Sequence, residues 1–511
     1  LGDVYKRQGT TIGTVTDATG HYFLKNLPEG NFILEVSSVG YKTVTRNVTL
    51  KKGKTLEEDF EIEEDAIALD GVVVSANRSE TTRRMAPTLV NVVDLKLFET
   101  TNSSTLSQGL NFQPGVRVET NCQNCGFQQV RINGLDGPYT QILIDSRPVF
   151  SALSGVYGLE QIPASMIERV EVMRGGGSAL FGSSAIAGTI NIITKEPLRN
   201  SGQLSHTITS LGGSSSFDNN TSLNASLVTD DHRAGLYIFG QNRYRSGYDY
   251  DGDGFTELPK LKNQTVGFRS YLKTSTYSKL TFEYHHMQEF RRGGDMLNRP
   301  PHEAHIAEQL QHSIDGGSLK FDYFSPDEKN RLSVFASAAN TDRDSYYGPG
   351  NDPLKAYGKT TDLTAMGGAQ YVHTFDKCFF MPSDLTAGLE YNRDRLKDNM
   401  WGYNRHTDQT VNIYSAFLQN EWKNDRWGIL IGGRLDKHNM VDNVIFSPRA
   451  NLRFNPTQNI NLRLSYSSGF RAPQAFDEDM HIENVGGTVA MIERAKDCLL
   501  YTSPSPRDST S

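Results

Sequence analysis

No run of about 18 apolar residues occurs anywhere in this sequence of 511 residues, which excludes a membrane-spanning helix. Hydrophobic residues make up only 37% and mean hydropathy is −0.49. Neither figure excludes a membrane β-barrel, whose strands alternate lipid-facing with lumen-facing residues and average out polar. Charge of one sign is also scarce: a net −7 at pH 7 leaves no electrostatic case for nucleic acid. Cysteine is limited to four residues, of which Cys122 and Cys125 form NCQNCG while Cys378 stands alone. With no second C-x-x-C and no histidine beside it, the pair is a poor zinc site. It fits a local disulfide stiffening a loop in an oxidising compartment, with a soft-metal contact as the alternative. Tryptophan is rare, with 3 residues, but 22 Tyr and 25 Phe lean towards a barrel with aromatic girdles.

Catalytic signatures are missing as well. Residues 169–195, RVEVMRGGGSALFGSSAIAGTINIITK, read as strand, glycine-rich bend and strand, with no acid, base or metal ligand in the bend. Gly177 and Gly182 have phosphate-loop spacing, but Ser183 stands where a lysine is required. No G-x-S-x-G elbow surrounds Ser178, Ser183 or Ser184. A dinucleotide fingerprint from Gly175 fails because Leu180 takes the last glycine's place. The chain is not expected to be an enzyme or to carry a cofactor.

The two ends are unusual. Residues 3–8, DVYKRQ, and 498–503, CLLYTS, can be encoded by complementary strands that share GATGTGTATAAGAGACA. That string resembles the transposon-end adapters of sequencing libraries. Residues 1–8 and 498–511 are therefore set aside as adapter-encoded, and the chain is expected to be a fragment.

Between them, residues 9–64 read as a small β domain, with strands expected at 22–24, 31–37 and 43–50 separated by turn residues at 18–20 and 28–30. Phe32, Leu34 and Val36 alternate with Asn31, Ile33 and Glu35, giving one apolar face. An acidic stretch leads to a linker over 65–84 containing ALDGVVVSANRSE, a β-branched run suited to adding a strand to a partner's sheet edge. Residues 85–200 mix short strands with short helices. From 201 to 497 the texture changes to long alternating strands and polar loops. SKLTFEYHH sets Leu280, Phe282 and Tyr284 against Lys279, Thr281 and Glu283; DLTAGLEYNRD and NINLRLSYSS repeat the pattern. Strands of about ten residues repeated this often exceed those of a soluble sandwich and match a transmembrane barrel.

These motifs carry two resemblances. TDATGHYFLKNLPEG and VGYKT resemble the carboxypeptidase regulatory-like β-sandwich, here without its opening strand and without peptidase ligands. GVRVE, VRINGL, ILIDSRPV, IPASMIERVEVMRG and SALFGSSAIAGTINIITK, in that order, resemble the plug of TonB-dependent outer-membrane transporters, and FSPRANLRFNP and GFRAPQAFDED resemble their barrel motifs. The resemblance implies a mainly β chain: an N-terminal β-sandwich, an α+β plug and a truncated antiparallel transmembrane β-barrel. Roughly a dozen strands are expected of the 22 such barrels close with. Small residues in the bend are expected to let backbone pass close to the wall. The resemblance also implies active import across the outer membrane, with the N-terminal domain periplasmic and outer-membrane lipid around the barrel. Val72, Val73 and Val74 take the place of the box that pairs with TonB, itself driven by an inner-membrane energising complex. Asn121, Gln123, Asn124, Phe127, Ser151 and Tyr157 are candidate plug apices for substrate. Arg131, Arg169, Glu171 and Arg174 are expected to pair with barrel-wall acids. A passive porin would have no use for such a plug.

The wording of the bend looks closer to importers of iron-siderophore, haem or cobalamin chelates. The alternative is a glycan importer working with a surface lipoprotein. Asp249, Asp251 and Asp253, with Glu257 and Gly254, resemble part of a calcium loop, but Lys260 replaces its bidentate acid, so a solvated acidic turn is expected. His285, His286, His302, His305 and His312 form the main histidine cluster and are expected to be solvated rather than ligating.

Overall fold

The computed structural model describes residues 4–7, 13–16, 21–24, 27–37, 44–62, 72–78, 81–103, 105–122, 126–147, 163–349, 357–457, 460–471 and 475. The N-terminal unit is a sheet in the order Gly13–Val15, Val4–Arg7, Gly30–Ser37, Val44–Leu50. Val4–Arg7, set aside above as adapter-encoded, pairs antiparallel with the third of these strands, Val4 opposite Ser37. A backbone ladder accepts almost any extended segment, whatever its origin. Phe32, Leu34 and Val48 form the core, with Tyr22, Leu24 and Phe60 against it. Residues 22–24 are not a strand, contrary to expectation. Their alternation still turns Tyr22 and Leu24 inward, but no strand among the described residues pairs with them, and the Tyr22 hydroxyl donates to the Glu58 carbonyl at 2.6 Å.

The plug is built on a four-stranded sheet in the order Thr140–Ile144, Gly188–Thr194, Ile167–Arg174, Val90–Asp94, the first pair parallel and the rest antiparallel. Val170, Val172, Ile190 and Ile192 turn one face to a core shared with Phe98, Leu106, Leu110 and Ile132. Helices Leu95–Thr100 and Leu106–Leu110 cover that face, the first capped by Asp94, which accepts the Leu97 N–H at 2.9 Å. The opposite face carries Glu171, Thr189 and Asn191, all fully buried.

The glycine-rich bend passes the wall as closely as expected. A Cβ at Gly176 would lie 2.8 Å from the Ser467 hydroxyl and 3.0 Å from its carbonyl, and Ser467 donates to the Gly176 carbonyl at 2.6 Å. Within the bend, Ser178–Phe181 forms one helical turn.

Strands from Ser201–Ser210 to Ile460–Ser467 form one 13-stranded antiparallel sheet, each paired with the next in sequence. The strands run to 22 residues. Their outward residues include an apolar band, in which Leu204, Leu389 and Leu464 are 72%, 66% and 71% exposed, while Glu390, Glu421, Arg434 and Asp436 are buried inside. This inverted pattern suits a lipid-facing exterior. Residues 276–277 and 379–380 are tight turns at one end; loops 246–259 and 295–305 mark the other, the long-loop end.

Candidate functional site

Two polar faces meet beneath the plug sheet, and residues 72–78 lie between them. Val72–Val73 pairs antiparallel with Thr81–Thr82. Val73 is fully buried among Ala76, Ala86 and Val90. The chain then crosses Glu171, whose Oε2 accepts the amides of Val74 and Ser75, each at 2.9 Å, and the Ser75 hydroxyl at 2.7 Å. Asn191 donates to the same hydroxyl at 3.0 Å, and Arg169 Nε donates to Glu171 Oε1 at 2.9 Å. A carboxylate without exposed surface would be costly alone; four donors compensate it.

The barrel wall holds the rest of the segment. The Ala76 carbonyl accepts from Arg449 Nη2 at 2.5 Å, and the Asn77 carbonyl from Gln419 at 3.3 Å. The Asn77 side-chain amide donates to Glu421 at 2.8 Å. Arg78 pairs with Glu390, which also accepts from Arg434 Nη1 at 2.6 Å. The Arg78 guanidinium lies between the rings of Phe181 and Phe417, 5.0 and 5.1 Å from their centres. Burial lowers the Arg78 pKa from its ordinary value, with Glu390 opposing the shift. Further along, Arg463 donates to the carbonyls of Arg83 at 2.7 Å and Ala86 at 3.1 Å. A pull on this segment therefore acts on the plug's central strand and on the wall together.

The four plug charges predicted to meet wall acids show pairs of another kind. Arg131 pairs with Glu119 at 2.5 Å and Asp136 at 2.6 Å, both in the plug. Arg169 pairs with Glu168 and Glu171, and Arg174 donates to the Pro114 carbonyl. Glu171 holds residues 74 and 75, as described. Of the inner charges it is Arg78 that meets a wall acid, Glu390; elsewhere wall arginines reach in and the plug supplies acceptors. Arg269 spans Asp145 of the plug at 2.5 Å and Glu283 of the wall at 2.6 Å. Burial opposes ionisation of Asp145, but Arg269 and the Thr194 hydrogen bonds outweigh it and hold the carboxyl below its ordinary pKa. Sequence reading missed these arginines because each occupies an ordinary alternating position; the recurrence of inward Arg434, Arg449 and Arg463 is the available signal.

Of the apex candidates, Gln123, Asn124, Ser151 and Tyr157 lie outside the described residues, as does Cys125. Asn121, Cys122 and Phe127 are described as backbone in the hairpin Val116–Cys122 and Phe127–Ile132, with Cys122 opposite Phe127. The hairpin tip reaches the long-loop end, where the Gly126 carbonyl accepts from Arg291 of the wall at 3.3 Å. Beside it a polar cleft of about 250 Å³ opens between Gln108, Asn111 and Gln128 of the plug and Thr207, Asn220 and Arg243 of the wall.

Asp249, Asp251 and Glu257 bring carboxylate oxygens within 4.8 Å of one another, without Asp253. Asp249 also accepts the amides of Gly252 at 2.7 Å and Gly254 at 2.9 Å, so the loop's own backbone serves it. His312 is buried 3.6 Å from Glu289, not solvated as expected, because its alternating position faces the lumen; His286 meets Asp315 at 2.9 Å, His302 meets the Tyr357 hydroxyl at 2.9 Å, and His305 meets Asp295 at 2.5 Å. Burial opposes ionisation of Asp295, but His305 and two backbone amides outweigh it and hold the carboxyl below its ordinary pKa.

Three family profiles match the chain. Residues 82–189 match the TonB-dependent receptor plug domain, 189–490 the TonB-dependent receptor-like β-barrel, and 6–74 the CarboxypepD_reg-like domain. The last begins inside the terminal stretch set aside above. A vitamin B12 transporter of Vibrio vulnificus is 24% identical over 425 residues, which cover 80% of this chain and 64% of that protein. Among solved structures, a siderophore receptor of Acinetobacter baumannii matches with a TM-score of 0.66 and 19% identity, over 76% of this chain and 62% of that one. A ferric enterobactin receptor of Pseudomonas aeruginosa matches with a TM-score of 0.65 and 19% identity, over 76% and 63%. The chain thus spans less than two thirds of the length of each of these proteins.

Proposed function

The chain belongs to the TonB-dependent receptor family, and from that premise we propose that it acts in an outer-membrane importer driven by TonB. Ligand binds at the long-loop end, between loops and plug apices. TonB, energised from the inner membrane, engages Val72, Val73 and Val74 at the opposite end, where the N-terminal domain lies in the periplasm. The observation that carries this reading is the seat of residues 73–78, hydrogen-bonded to the plug through Glu171 and to the wall through Arg449 and Glu390. Strand addition by TonB on the edge now taken by Thr81–Thr82 displaces that pairing, so capture of the box competes with its docking. The proposed cargo is a metal chelate of the siderophore, haem or cobalamin kind, supported by the vitamin B12 and siderophore relatives.

The test is uptake by cells expressing the full-length protein, with labelled ferric siderophore, haem, cobalamin and an oligosaccharide. One chelate should bind and accumulate. Val73→Pro should bind it at the surface without accumulation, because proline removes a ladder donor and restricts the residue before it. Val73→Ala should accumulate it, while loosening the docked segment by on the order of 1.5 kcal/mol. Accumulation by the proline variant at the unmodified rate rules out this segment as the coupling strand. Accumulation of the oligosaccharide alone moves the cargo to the glycan alternative with its surface lipoprotein.

A further inference from the structure

The strand Met381–Met400 sorts its charges by face. Glu390, Asp394 and Asp398 are buried on the lumen side. The alternate positions face outward: Leu385, Ala387, Leu389 and Tyr391, followed by Arg393, Arg395 and Lys397. Leu389, 66% exposed, belongs to the apolar band, and Tyr391 packs on Tyr414 of the next strand with ring centres 4.9 Å apart. The three cations lie beyond that tyrosine pair, towards the long-loop end, and in a membrane barrel it is past the aromatic girdle that the surroundings change from hydrocarbon to headgroup.

Their lateral neighbours leave them available. Arg393 is flanked in register by Ala365 and Asn412, and Arg395 by Leu363 and Thr410. Lys397 lies 3.6 Å from Asp408, itself largely exposed. Among the described residues neither Arg393 nor Arg395 has an ion-pair partner, whereas the lumen-side arginines Arg269 and Arg434 each contact two acids. Two unpaired guanidinium groups on the lipid-facing wall of a chain with net charge −7 call for an anion from the surroundings.

We propose that Arg393, Arg395 and Lys397 form a site for the phosphate-bearing headgroup of an outer-leaflet lipid, resting on the reading of the sheet as an outer-membrane barrel wall. The guanidinium forks suit phosphate oxygens bidentately, the lysine adds a point charge, and the apolar band below receives the acyl chains. A lipid is favoured over a protein partner because the cations continue the outward stripe of the apolar band on the same strand.

The test uses the full-length barrel purified from outer membranes in detergent and titrated with diphosphorylated lipid A, occupancy being counted by native mass spectrometry. The parent should bind at least one lipid A and bind the dephosphorylated form much more weakly. Arg393→Gln/Arg395→Gln/Lys397→Gln should raise the midpoint on the order of 100-fold, at about a factor of five per lost charge. Arg393→Lys/Arg395→Lys, which keeps the charge, should retain most of the binding, and Lys262→Gln, an outward cation elsewhere on the wall, should change nothing. Should the triple variant not fold, Arg395→Gln alone should still raise the midpoint. An inserted parent without lipid, equal binding of lipid A with and without phosphate, equal loss in the Lys262→Gln variant, or loss of a co-purifying protein with lipid unchanged would overturn the proposal. Heat-modifiable mobility reports the barrel separately, so a parent that never inserts sinks the membrane reading instead.

Discussion

Glu171 sits on the central plug strand with no exposed surface, yet accepts from two amides, a hydroxyl and a guanidinium. In the sequence it is the one acid among the three charges of RVEVMR, and nothing nearby names its partner. That partner is main chain 97 residues earlier, at Val74, which no local pattern encodes. The charge should matter more than the shape. Glu171→Gln keeps the volume but weakens hydrogen bonds that are charge-assisted, so docking of residues 73–78 should loosen by about 1.5–3 kcal/mol. Labelling of Val73→Cys by a thiol reagent should then be faster when Glu171→Gln is added than without it. Equal labelling rates would show that the carboxylate does not hold the segment.

Elements differed in how far the sequence revealed them. Barrel strands announce themselves because lipid outside and a polar plug inside enforce alternation at every residue. Leu385 to Tyr391 and Ile460 to Tyr466 read directly as outward stripes. The glycine-rich bend was legible as a place of close approach, but not what it approaches: the Ser467 backbone lies 291 residues away. Residues 72–74 were legible as an extended apolar run, and the burial of Val73 was not, because a run of valines looks alike whether free or docked. Gly188, the first residue of its strand, tests the close-approach argument. A Cβ there would stand 2.3 Å from the Met173 carbonyl oxygen, so the two central strands would have to part. Gly175 has φ +83° but nothing within 4 Å of a built Cβ, so alanine there meets only backbone strain. Gly188→Ala should therefore cost the plug more than Gly175→Ala, whose penalty is about 1–2 kcal/mol. Thermal unfolding of the two variants, followed through protease sensitivity of the plug, measures the order. The reverse order would mean that the strands separate easily.

In the whole molecule the plug is held largely through its own main chain. Arg449 reaches the Ala76 carbonyl, Arg463 that of Ala86, Arg434 that of Leu180 and Arg291 that of Gly126. A carbonyl cannot be removed by side-chain substitution, so the plug can vary in sequence and keep its seat, while the wall arginines cannot be exchanged so freely. Arg449→Met keeps bulk and removes the donor, leaving the buried Ala76 carbonyl unsatisfied at about 1–3 kcal/mol. Residues 76–88 should then exchange amide hydrogens faster, while the wall strand Ile445–Thr457 keeps its protection. Arg453→Met is the control: its guanidinium donates to the Asn424 and Trp427 carbonyls at 2.8 and 3.1 Å, both within the wall, so plug exchange should not change. If both variants release residues 76–88 equally, the effect is loss of wall integrity and not of a plug contact. If neither does, the seat depends on Glu171 and Glu390, and the wall arginine only fills the gap beside the segment.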